Sequence, residues 1–490
     1  MDKLAPTLLA FPPEGNLTTS LDIARYDDAV KTHVSHLSDL LQYSKRELIA
    51  HGPELIGLLN PAVNSLSYLA VLHTLVVPGI PPSVSRDVVL EKLVLFLLIF
   101  DARQCRYAGS FLQDVFLATG SGQYLPPSVA VEALATAILR LDPTGTMLTS
   151  SHILLAKLAY NTDNIDPALQ VIDKNIVFFP GMPSFGESQY LCDLTLPPAA
   201  YISRETGLTN ALKSTSILEY DLLCGMIHCS KRDWTKAYAA FERVVSFPSR
   251  EGGSSKIMIE AYKKWVLVSL LSQGKLHGPQ IHAIAATNKL YGSLGKVYTA
   301  IAMLFVTDDA KALKTEVEKN SGVWLEDGNS GLIQEVLAAY QKWRVLGLEQ
   351  IYSKISLSEI RQQTTSAETG EALEKEEDVE MLIQNMIISG MLNGVIEKND
   401  DGTTFLTFLA SSTQLSEWDF AKGLAETAIQ LKTLHPIFKA TKERLGTSKE
   451  YVKHAIKEGK RSEKNEPDPT LAFDAHVDDE DLMGGVVATG

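Results

Sequence analysis

Residues 222–248 read LLCGMIHCSKRDWTKAYAAFERVVSFP, and the fold class turns on how they are parsed. The apolar stretch Leu222–Ile227 is followed by a short polar turn and then by Asp233-Trp-Thr-Lys-Ala237. Phe241 comes four residues later, and Pro248 stands where a helix would stop. The same order occurs upstream, as Ile153–Tyr160, Asp166-Pro-Ala168, Ile172 and Pro180. Ala168 and Ala237 are 69 residues apart, close to two tetratricopeptide periods of about 34. An alanine there lets paired helices approach, and Gly225 supplies a second small residue for the same contact. Phe241 is expected to fill the groove of the next layer, and Pro248 to stop the helix. The upstream copy lacks the glycine, so the spacing leaves open a helical-repeat solenoid and an irregular helical domain. A solenoid, the expected architecture, presents a long concave surface suited to binding protein.

Toward the N-terminus the pattern stays helical. Residues 22–59 carry apolar positions at three-to-four spacing, with a break expected at Gly52-Pro53. Helices follow at 62–77, 84–101 and 107–119, and another opens at Pro126-Pro127 and runs to Leu141. Residues 1–140 thus form an N-terminal helical region and 141–330 tetratricopeptide-like repeats. Beyond 330 the pattern changes. Leu332–Tyr352 is a long amphipathic helix, and Ser356-Leu-Ser-Glu359 has the form of a capping box. A third helix carries Leu373, Val379, Leu382, Ile383, Met386, Ile387 and Met391, and a hairpin at 395–398 and 403–409 turns through Asn399-Asp-Asp-Gly402. Helix, capped helix, helix and hairpin over 331–410 is the order of a winged-helix unit. A last helix over 414–445 bears Ala421, Leu424, Ala428, Leu431, Leu434 and Phe438 on one side, with Pro436 expected to kink or end it. Residues 446–490 read as a disordered acidic tail, with nine acidic and three basic residues from Glu458 onward.

Composition excludes several classes. Hydrophobic residues are 45% and charged residues 21% of the 490, which is ordinary for a chain with a packed core. The net charge of −14 argues against general nucleic-acid or anionic-membrane binding. Residues 371–380 hold six acids and one lysine, so the third helix has the wrong sign for phosphates. A solvated helix start and a contact with a basic protein surface remain open for it. Cys105, Cys192, Cys224 and Cys229 form no Cys-x-x-Cys pair, and buried free thiols are expected. The longest uninterrupted apolar run there, Leu93–Phe100, is too short to span a bilayer, and the N-terminus lacks a signal-peptide pattern. No phosphate-binding glycine loop, nucleophile elbow or His-x-His pair occurs. His33 and His36 are one turn apart, and Cys224, His228 and Cys229 are clustered. Without a completing ligand they read as a helix face and as core, so no catalytic residue, metal or cofactor is expected.

Helical repeats running into a winged helix resemble the PCI-domain family, all-α apart from the hairpin. The stretch 259–275, IEAYKKWVLVSLLSQGK, is similar to the signature of its signalosome subunit-3 branch, as are Tyr238-Ala-Ala-Phe-Glu…Pro248 and Ser356-Leu-Ser-Glu-Ile360. On the residues alone, 259–271 is greasy on nearly all sides and so buried, with Lys263 and Lys264 as its one wet edge. The resemblance implies a non-catalytic scaffold and assembly subunit of the COP9 signalosome, working in cytoplasm and nucleus. That complex removes a ubiquitin-like modifier from cullins, and its metalloprotease is a different subunit. The implied partners are other signalosome subunits and, through them, cullin ubiquitin ligases, with no nucleic acid and no membrane. Two surfaces follow: the hairpin, through Val395, Ile396, Phe405 and Leu406, as an edge for strand pairing, and the stripe of the last helix as a seam for a bundle. Equivalent subunits of the proteasome lid or of translation initiation factor 3 share the architecture, and an enzyme with an unrecognised site is the alternative from another class.

Overall fold

The computed structural model describes residues 4–12, 23–82, 84–180, 190–248, 255–277, 285–399, 402–409, 416–447 and 449–463. They fall into two units, Met1–Ala410 and Ser411–Gly490.

The first unit is a succession of antiparallel helices. Ile23–Tyr43 and Lys45–Leu58 replace the single helix expected over 22–59, and the break falls at Ser44, with the second helix running through Pro53. Gly52 serves packing instead of termination, since a Cβ there would lie 2.7 Å from the Leu75 side chain. The helices Ser65–Val76, Arg86–Ile99, Gly109–Gly120 and Pro127–Leu141 follow; the first and the last of these each pack against both of the middle two.

The two related stretches are copies down to the backbone. Ser150–Asn161 with Asp166–Ile172, and Ser214–Ser230 with Trp234–Val245, form two hairpins. Asp163 (φ 54°) and Arg232 (φ 57°) turn left-handed at the same place in each, 69 residues apart like the alanines. The amide of Asn164 donates to the Ala159 carbonyl, and that of Asp233 to the His228 carbonyl, both at 3.0 Å. Each closes its helix by a six-to-one bond. Ala168 and Ala237 are fully buried. A Cβ on Gly225 would lie 2.4 Å from the Phe241 ring, so that ring closes first on its own hairpin.

Lys256–Gln273 is the hub of the next layer. Ser255 caps its first turn by accepting from the Met258 amide, and Gly274 (φ 71°) ends it. It packs against Trp234–Val245, Lys296–Phe305 and Ser330–Leu348. Trp265 lies between Tyr238 (5.8 Å) and Tyr262 (5.9 Å). The expected wet edge is absent. Lys264 is buried and donates to Asn329 Oδ1 at 3.0 Å. Lys263 binds both carboxylate oxygens of Asp327 at 2.6 and 2.7 Å. Tyr298 completes the network by donating to Asp327 and accepting from Asn329, both at 2.7 Å. Lys263 and Tyr298 hold the Asp327 carboxyl below the usual carboxylate range against the opposing effect of burial, the largest single contribution. A carboxylate with a depressed folded-state pKa contributes stability above its unfolded value, which is lost as pH falls through the folded value. Urea midpoints of the protein are therefore expected to drop below about pH 4. Asp327→Asn should cost about 1–2 kcal/mol at neutral pH and flatten that part of the pH profile.

The unit ends in the winged helix. Ser330–Leu348 leads into strand β1 (Lys354–Ser356), the helices Leu357–Gln363 and Glu376–Ile388, and strands β2 (Gly394–Lys398) and β3 (Thr404–Phe408). Ser356 and Glu359 make the expected capping box. Strand β1, which precedes it, carried no expectation. The sheet is antiparallel in the order β1-β3-β2. Its inner face closes a small core of Val345, Ile355, Ile360, Val379, Ile383, Met386 and Leu406.

The second unit holds the helices Glu417–Thr447 and Lys449–Glu463. The first continues through Pro436. The second corrects the expected onset of disorder at 446, because Tyr451, Val452, Ala455 and Ile456 recur at helical spacing among good helix formers. The rest of the expected tail, 464–490, lies outside the described residues. Among the described residues no helix is long and apolar enough to cross a membrane.

Candidate partner interface

The hairpin presents an edge. Leu409 N–H donates to Asn393 O, and Asn399 N–H to Thr403 O. Bonded pairs alternate along an antiparallel ladder, so Val395↔Thr407 and Glu397↔Phe405 are the bonded pairs between these two ends. Gly394, Ile396 and Lys398 therefore point their amides and carbonyls away from β3, toward an edge that no described strand pairs. The four hairpin candidates split across the pleat. Val395 and Phe405 face outward, with Lys354 Nζ 5.1 Å from the Phe405 ring centroid. Lys354 also binds Glu397 at 2.8 Å; this bond, then Thr407, lowers the Glu397 pKa. Ile396 is half-buried against the winged-helix core, and Leu406 is 0% exposed on the central strand. Leu406 is thus corrected from partner surface to core residue, because its side chain stands on the sheet face that closes the winged-helix core. What β2 offers a partner is backbone, framed by Val395 and Lys398.

The helix Glu417–Thr447 carries the larger apolar surface. Leu424, Leu431 and Phe438 are 62%, 66% and 66% exposed, and Leu434 is exposed as well. Two residues that the spacing argument missed, Phe420 and Leu445, extend the line. Leu424, Leu431, Phe438 and Leu445 recur every seven residues, and Phe420, Thr427, Leu434 and Thr441 form the interleaved row. A strict seven-residue period over these four turns of the repeat is that of a supercoiled helix seam. Ala421 and Ala428 are exposed beside it and leave room for close approach.

The chemical candidates do not converge. His33 is buried on Ser67 Oγ at 2.8 Å, with its pKa lowered to about 4 by burial, whereas His36 is exposed. Burial pushes the Cys224 and Cys229 thiols up to about 12, far from the thiolate form a nucleophile or metal ligand needs. Among the described residues no three His, Cys, Asp or Glu side chains are grouped to hold a metal ion. Glu376, Glu377 and Asp378 occupy the first turn of the third winged-helix helix, where the helix dipole favours them.

A family model described as COP9 signalosome complex subunit 3, N-terminal helical repeats, matches residues 28–182 and 196–283. The COP9 signalosome complex subunit 3 of Neurospora crassa is 40% identical over 462 residues, covering 93% of this chain and 92% of that protein. The chain belongs to the COP9 signalosome subunit 3 family. The subunit 3 of Emericella nidulans is 29% identical over 477 residues, 93% of this chain and 95% of its own length. The match to the family's helical repeats begins at residue 28, so it takes in the helices of the N-terminal region from Ile23–Tyr43 onward.

Proposed function

We propose that the chain is a non-catalytic scaffold and assembly subunit of the COP9 signalosome, the complex that removes a ubiquitin-like modifier from the cullins of ubiquitin ligases. The observation that carries this reading, beside the family, is the exposed seven-residue seam of Glu417–Thr447. A line of large apolar side chains of this length is stabilised by burial against other helices. Its partners are other signalosome subunits, and cullin ligases only through them, in cytoplasm and nucleus. Buried, protonated thiols and dispersed histidines fit a chain that leaves chemistry to another subunit. Purification of a tagged copy from cells, with mass spectrometry of what accompanies it, is expected to return the remaining signalosome subunits. Recovery of proteasome-lid or initiation-factor subunits in their place would overturn the assignment.

The open edge of β2 is the second contact in this proposal, a neighbouring subunit adding a strand to it. Lys398→Pro deletes an outward amide without removing a β2–β3 bond, and proline is tolerated on edges of this kind. The variant is expected to keep the melting temperature of the free subunit within about 2 °C and to weaken its pairwise binding to the neighbour about tenfold, the equivalent of 1.4 kcal/mol. Unchanged affinity in a titration of purified subunits would remove strand addition at this edge.

A further inference from the structure

Three arginines share one cavity in the N-terminal part of the first unit. The cavity has a volume of about 750 Å³ and is lined by Arg103, Arg106, Arg140 and Tyr201 among others. Arg103 lies in the short helix Ala102–Cys105, Arg106 follows it, and Arg140 is in the last turn of Pro127–Leu141. Arg103 donates to the Cys192 carbonyl at 2.7 Å, and Arg106 to those of Leu191 and Asp193 at 2.9 and 2.7 Å. Arg140 donates to the carbonyls of Leu98, Ile99 and Phe100 at 3.0, 3.2 and 2.8 Å, at the end of Arg86–Ile99. The Arg106 guanidinium carbon stacks 3.6 Å from the Tyr201 ring centroid, and the Tyr201 hydroxyl donates to the Leu141 carbonyl at 2.8 Å, beside Arg140. These contacts hold the three guanidinium groups in place. Among the described residues none of them is ion-paired with a carboxylate, whereas Arg232, Arg243 and Arg344 each are. Arg106 is 6% exposed, and its Nε has no hydrogen-bond partner. A buried cation met only by carbonyl dipoles is poorly compensated.

The acids nearby are committed elsewhere. Asp101 Oδ1 accepts from the Arg103 amide at 2.9 Å. Asp142 Oδ1 accepts from the Thr144 amide and its Oδ2 from the Met147 amide, both at 3.0 Å. Asp193 Oδ1 accepts from the amide and hydroxyl of Thr195, both at 2.8 Å. We propose that this cavity binds a phosphate monoester with an apolar body. Guanidinium forks match the oxygens of phosphate in pairs, and three of them suit a dianion better than a carboxylate. Phosphate itself would occupy a small part of the space, which is of the size of small-molecule sites. The rest of the wall includes Leu139, Leu194 and Leu196, and Leu194 is 72% exposed, placed to close on an organic group. Because three aspartates stand near three arginines, the site selects by direct contact and not by a broad positive field, which a chain of net charge −14 does not offer.

Equilibrium dialysis of the full-length subunit against phenyl phosphate, inorganic phosphate and benzoate tests this. Saturable binding at one site per chain is expected, with phenyl phosphate held at least about threefold more tightly than inorganic phosphate and about tenfold more tightly than benzoate. Arg103→Gln and Arg140→Gln should each weaken phenyl phosphate at least about fivefold. Arg86→Gln, at an exposed arginine that does not line the cavity, should leave it unchanged. Arginine labelling with phenylglyoxal gives a reading that needs no substitution. Saturating phenyl phosphate is expected to slow modification of Arg103 and Arg140 at least about threefold and to leave Arg86 and Arg232 unaffected. An acetylated phosphoserine peptide separates the two sources of the group. Tighter binding than phenyl phosphate would support the site with a phosphorylated protein as its ligand, and weaker binding would support it with a free organic phosphate. Benzoate bound as tightly as phenyl phosphate, absence of saturable binding, or unprotected Arg103 and Arg140 would each overturn the proposal.

Discussion

With Leu424 and Leu431 both replaced by Asp, the subunit is expected to fold normally and to be lost from the assembled complex. Both side chains are about two-thirds exposed, so in the free chain the new carboxylates are hydrated and cost little. In a helix bundle each would be buried without a partner, a penalty of roughly 2–5 kcal/mol per site. Even the lower end, taken twice, exceeds a hundredfold in affinity. Gel filtration of a reconstituted complex, with the melting temperature of the free variant as control, is the measurement. Co-elution at the parental level would show that the seam is not an assembly surface. Trp418→Asp provides a contrast. Trp418 is exposed too but stands off the two seven-residue rows, and its replacement should leave assembly much less affected.

Trp265→Ala is expected to cost the fold itself about 3–5 kcal/mol, the range for truncating a large buried aromatic. Trp265 is essentially inaccessible, with the Tyr262 ring stacked on it and the Tyr238 ring tilted against it, on the helix that joins the repeats to Ser330–Leu348. The cavity would open where three layers meet, and rigid neighbours on both sides limit collapse into it. Trp265→Phe retains an aromatic ring between the two tyrosines and should cost less than half as much. Urea unfolding of the three proteins gives the comparison. Equal stability of the parent and Trp265→Ala would mean that this layer contributes little to holding the solenoid together.

Most of the helical architecture was legible because its signals are local. The Ser356/Glu359 capping box and the prolines at 126–127 act within one or two turns, as do the turn and alanine signals inside each copy of the 69-residue echo, and each corresponds to an observed feature. Errors came where the deciding partner is distant or the element short. Nothing near Lys264 announces Asn329, 65 residues away, so a lysine pair read as a wet edge. Strand β1 has three residues, too few to show alternation. Pro53 lies within a helix, and Gly52 beside it packs on Leu75, a tertiary contact that no local signal announces. Leu406 was a different matter. Adjacent strand residues face opposite sides of a sheet, so Val395 with Ile396, and Phe405 with Leu406, could not share one surface. The exposed stripe of the last helix was visible, but its full length emerged only when Phe420 and Leu445 joined it in a seven-residue register.

The sheet of the winged helix is lopsided: β2 has five residues and β1 three, with β3 enclosed between them. A protein-built ribbon can grow well from the long side and poorly from the stub. If subunits join as proposed, by strand addition at β2, each has a head and a tail, and the row they form is polar and self-terminating at whichever member turns its short side outward.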